Sequence, residues 1–118
     1  MSTFVGGPFH AIMQGCRLRY DLAMQLKDDY DYVLQHLSQN RKVLRLNKYH
    51  YVNRIAEQVG GTAMLRSVAR EKEAMERLQT KWGTRIVTTS DRSHIAKKRK
   101  AEKTIQINPI LRVPIKGP

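Results

Sequence analysis

The sequence predicts a mainly α protein, with a long N-terminal helix packed on two further helices as a helical hairpin or small bundle and an extended basic C-terminal arm. Three observations predict it. Apolar residues recur at helical spacing through most of the first 82 positions, and Gly60-Gly61 and Gly83 punctuate that pattern. Beyond Gly83 the helical period gives way to β-branched residues, prolines and bases. The chain of 118 residues then divides into an N-terminal arm (1–8), a helical domain (9–83) and a basic tail (84–118).

The first helix is expected over 9–38, after Pro8. Phe9, Ile12, Cys16, Tyr20, Ala23, Leu26, Tyr30, Val33 and Leu37 recur every 3.5 residues on average, the period of a helix lying along another. Gly15 weakens it, and Arg17–Asp21 and Lys27–Asp31 stand four apart, where surface pairs form. Ser38-Gln39-Asn40 breaks the pattern, and a second helix to Val59 turns Leu44, Tyr51, Val52, Ile55, Ala56 and Val59 inward. Gly60-Gly61 then forms a corner, with Thr62 as the next N-cap. The third helix carries Leu65, Val68, Met75, Leu78 and Trp82 on one face, with Lys72 standing where another apolar residue would fit, and Gly83 ends it. Residues 84–89 read as a short strand, and Ser90 to Ser93 as the cap of a short basic helix running to Lys103. From Thr104 onward, Ile105, Ile107, Ile110 and Ile115 alternate with Pro109, Pro114 and Pro118 in an extended arm, which covers either its own helices or a partner.

Charge is the most informative property. Lys and Arg number 22 against 10 Asp and Glu, a net charge of +12. Residues 1–40 hold three bases and four acids, whereas residues 83–118 hold nine bases and two acids. The N-terminal part is therefore expected to pack, and the C-terminal part to meet a polyanion. Nucleic acid heads the candidates, because neutralising phosphates releases counterions; acidic protein surfaces and anionic lipid follow.

Two basic segments form the expected RNA-binding site. Arg41, Arg45 and Lys48 would share one helical face, with Lys42, Tyr49 and Arg54 beside them, so that phosphates are contacted while a ring stacks on a base. In the tail, Arg92, Lys97, Lys98, Arg99, Lys100 and Lys103 concentrate positive charge. Four successive bases point to all sides of a helix and suit a segment enclosed by phosphates.

Catalysis is not expected. His10, His36, His50 and His94 lack the spacing of a helical metal site, and Ser90-Asp91 with His94 is no triad. Asp28, Asp29 and Asp31, with Asp21 upstream, lack the glycine and spacing of a calcium loop, and read as a solvated face or a docking surface for a basic neighbour. No metal, cofactor or small-molecule substrate is expected. Cys16 is alone, which excludes an intramolecular disulfide and suits a reducing intracellular compartment, cytoplasm or mitochondrial matrix. No secretory signal or membrane-spanning run is read in the sequence.

The function expected is that of a non-catalytic structural subunit of a ribosome or other ribonucleoprotein, held by rRNA and neighbouring proteins. The alternatives are a protein-lattice component, such as an internal virion or filament-binding protein, and a peripheral subunit of a respiratory membrane complex. Residues 84–118 are expected to lack order without a partner. Replacing Gly60 by Val should cost about 1 kcal/mol or more in urea denaturation if that corner needs positive φ.

Overall fold

The computed structural model describes residues 10–46, 48–49, 67–89 and 107–113. Within them the chain forms α1 (Asp28–Asn40), α2 (Val68–Trp82), β1 (Val87–Thr89) and β2 (Pro109–Leu111). This corrects the expected bundle: the described residues hold two helices and a small antiparallel sheet, not three packed helices with an extended basic arm.

The long first helix fails at two backbone positions. Gly15 has φ +86° and Lys27 has φ +64°, both in the left-handed region where no α-helix continues. Residues 10–27 consequently lack helix, and Ile12, counted on the inner face, is half exposed. Only the last third of the period survives, with Val33 and Leu37 buried and Tyr30 packed at the core's edge. Asp28, Asp29 and Asp31 lie in the first turn of α1, where the helix dipole favours negative charge. Arg41, at φ +56°, ends it.

Helix α2 starts at a side-chain cap: the Ser67 hydroxyl accepts the Arg70 N–H at 3.2 Å. The start expected at Thr62 lies outside the described residues, as do the Gly60-Gly61 corner and most of the second helix. Gly83, at φ +89°, closes α2 as expected, and its N–H donates to the Gln79 carbonyl at 2.7 Å. The inner face is Glu71, Ala74, Met75 and Leu78; Val68, expected inside, is half exposed.

Of the strand expected over 84–89, only 87–89 form β1, since 84–86 turn back on Gly83, and the partner of β1 comes from the arm. Val87 pairs with Leu111, Thr88 with Ile110 and Thr89 with Pro109. Val87 and Leu111 point inward and Ile110 outward, the two-residue alternation of a half-buried ribbon. The expectation that 84–118 lacks order is thus corrected for residues 84–89 and 107–113. They join Met24, Val33, Leu34, Leu37, Met75 and Leu78 in one cluster, where buried Val87 and Leu111 sit with Ile107 and Val113 at the margin. The described part of the arm, 107–113, therefore packs on the chain's own core, where Ile107, Leu111 and Val113 find apolar surface.

One ion pair lies within this core. Lys27 Nζ donates to Glu71 Oε2 at 2.6 Å, with the two side chains only 6% and 2% exposed. The same oxygen accepts the Ile107 N–H at 3.1 Å. Removing one partner strands the other's charge in the interior. Glu71→Leu should therefore cost about 3–5 kcal/mol in urea denaturation. Lys27→Met combined with Glu71→Leu should recover most of that loss, less about 1–3 kcal/mol for the orphaned Ile107 amide.

Candidate nucleic-acid interface

The basic segment after α1 is positioned by its two neighbours in sequence. Arg41 turns the chain out of the helix, and Val43 lodges against the core. Past that anchor the side chains emerge: Leu44 is 81% and Leu46 61% exposed, and Arg45 is exposed between them. The Tyr49 N–H donates to the Leu46 carbonyl at 3.3 Å, closing a turn. Tyr49 is 71% exposed, and Lys48 Nζ stands over its ring at 5.9 Å from the centroid.

The helical stripe expected of Arg41, Arg45 and Lys48 is not formed, since residues 42–46 have no regular secondary structure and Lys48 lies in the turn. Arg41, Lys42, Arg45, Lys48 and Tyr49 are nevertheless exposed together along one short segment that contains no acid. Arg54, Arg92, Lys97, Lys98, Arg99, Lys100 and Lys103 lie outside the described residues. The nearest described residues flanking the last six, Thr89 and Ile107, belong to β1 and to the margin of the core.

At the opposite end of α1 one acid faces inward, while Asp28 is exposed and Asp29 half-buried. Asp31 is fully buried and accepts from Trp82 Nε1 at 2.7 Å, from Gln35 Nε2 at 2.8 Å and from Lys81 Nζ at 2.9 Å. Lys81 also reaches Asp21 at 2.7 Å. The Lys81 hydrogen bond holds the Asp21 carboxyl below its usual range. Burial opposes the Lys81 charge, but its hydrogen bonds to Asp21 and Asp31 outweigh that and raise its pKa. The expected solvated acidic face is thus corrected at Asp31, which joins α1 to α2. The expected surface pairs are corrected too, because Lys27 binds Glu71 rather than Asp31 and Asp21 binds Lys81. A helix of 13 residues is about 20 Å long, so α1 separates an acidic end, where Asp31 is paired with Lys81, from an exposed basic one.

A second group of side chains went unread in the sequence. Tyr20 stacks on Tyr32 at 4.4 Å and 19°, and Tyr32 meets His36 edge-on. Cys16 Sγ lies 3.7 Å from the Tyr32 hydroxyl and 3.9 Å from His36 Nε2, and Asn40 Nδ2 lies 3.2 Å from His36 Nδ1. The group fastens residues 16–20 to α1. Its signal was present: Tyr32, His36 and Asn40 follow at four-residue steps on one helix face. Among the described residues no three His, Cys, Asp or Glu side chains converge to hold a metal ion. No described helix is long and apolar enough to cross a membrane.

Comparison with protein-family models, with curated proteins and with solved structures yields no match.

Burial and the contact with Cys16 push the Tyr32 phenol up to about 12 from 10.0. A raised phenol pKa means that the fold favours the neutral ring. The associated stability is fully present below pH 10 and is lost as pH rises toward 12. NMR titration should show the Tyr32 ring ionising near 12 rather than 10.0, and Tyr32→Phe should weaken the alkaline loss of stability.

Proposed function

We propose that this protein is a non-catalytic subunit of a ribonucleoprotein, most concretely a ribosome, held in place by RNA phosphates and by protein neighbours. The observation that carries the proposal is the segment at 41–49, where four bases, an aromatic ring and two leucines stand exposed with no acid among them. Two of the acids before the segment, Asp21 and Asp31, are paired with Lys81. The run Lys97 to Lys100 adds to the same polyanion affinity.

A place inside an assembly is also supported by apolar side chains turned to solvent elsewhere. Leu22 is 95%, Met13 88% and Ile12 49% exposed, all in the segment that precedes α1. Protein neighbours would cover them. With contacts made chiefly to phosphates, the chain positions itself without reading base sequence.

The test is RNA affinity as a function of salt. Log affinity should fall linearly with log salt. Replacing Arg41, Lys42, Arg45 and Lys48 together by Ala should lower the magnitude of the slope by about 3 if each meets one phosphate of a single strand. Replacing Lys97, Lys98, Arg99 and Lys100 should flatten it similarly, and both sets should weaken RNAs of every sequence alike. Nuclease treatment of the native assembly should release the chain. A salt-independent affinity would favour the protein-lattice alternative.

A further inference from the structure

We infer that the strand recognised at 41–49 is unpaired RNA, with one base stacked on Tyr49 while the surrounding bases of the protein hold its phosphates. This rests on the ribonucleoprotein proposal and specifies its ligand. Tyr49 keeps 71% of its surface open although a tyrosine ring has much to gain from burial. Its neighbour Lys48 holds an ammonium 5.9 Å from the ring centroid, so a phosphate next to a base stacked on the ring would meet a cation. Arg41, Lys42 and Arg45 supply further cations on one side of the ring in sequence.

The local backbone narrows the ligand. In a duplex the bases are stacked inside, and only an unpaired base offers its face to a side chain. An interfacial membrane helix would need a broad apolar face on a regular helix. Here the segment is irregular, Arg45 separates Leu44 from Leu46, and Val43 is committed to the core. An acidic protein partner would use the bases and leave the ring idle. Exposed ring, adjacent ammonium and acid-free flank together fit a single strand.

The experiment measures anisotropy of a labelled 12-nucleotide adenosine strand and of a 12-base-pair RNA duplex, each titrated with the full chain at several salt concentrations. Tyr49→Ala should weaken single-strand binding by roughly 5- to 150-fold, the worth of one stacked base. Tyr49→Phe should retain it, and duplex binding should be unchanged by either. Thermal unfolding should be unaltered in both variants, since the ring lies at the surface. Salt-dependent binding that ignores Tyr49→Ala, or an equal loss for strand and duplex, would overturn the stacking inference while the phosphate proposal stands. Binding of neither RNA, with retention on vesicles of anionic phospholipid, would overturn both.

Discussion

A carboxylate taken out of water must find its partners inside the protein, and at Glu71 those partners come from far along the chain. Lys27 stands 44 residues before it and Ile107 36 residues after it. The Lys27 ammonium arrives through a left-handed backbone that a non-glycine residue adopts at a cost of about 1–2 kcal/mol. That same backbone stops any helix from entering α1, so the ion pair and the end of the N-terminal segment share one residue. On the other side, the Ile107 amide brings the C-terminal segment onto α2 two residues before β2 begins. The helices, the sheet and the N-terminal segment thus meet around one acidic side chain.

The second polar junction repeats this arrangement with different chemistry. Asp31 gathers an indole N–H, an amide and an ammonium, and Lys81 reaches on to Asp21. Two buried carboxylates, each hydrogen-bonded, define where α1 and α2 touch, and the aliphatic cluster fills the space between them. With few apolar side chains in the core, directional contacts of this kind carry much of the specificity of packing.

Local signals in the sequence were legible where the decisive contacts were local. The end of α2 at Gly83, the strand after it and the apolar alternation of the arm all follow from neighbouring residues. What escaped was set by distant ones. The 3.5-residue period from Phe9 to Leu37 was real as a count, but a left-handed Lys27 interrupts it, and nothing in the neighbouring sequence marks that residue, whose ammonium is paired with a glutamate 44 positions away. Position 71 reads as an ordinary surface glutamate, because charged residues are rarely buried unless paired. At the candidate interface, the residue types at 41–49 announced positive charge and a ring, and the helix expected to array them was absent from 42–46.

The pairing of Val87 with Leu111 has its own consequence for how the molecule comes into being. During synthesis, α1 and α2 emerge well before the residues that complete their core. Contacts such as Lys81 to Asp21 and Trp82 to Asp31 span 60 and 51 positions, so little is gained until long stretches of chain have closed. Until Ile107 and Leu111 leave the translating machinery, Glu71 lacks one partner and the side of the cluster facing β2 is open to water. That open side is therefore covered only after the chain's strongest positive run, residues 97–100, has been made.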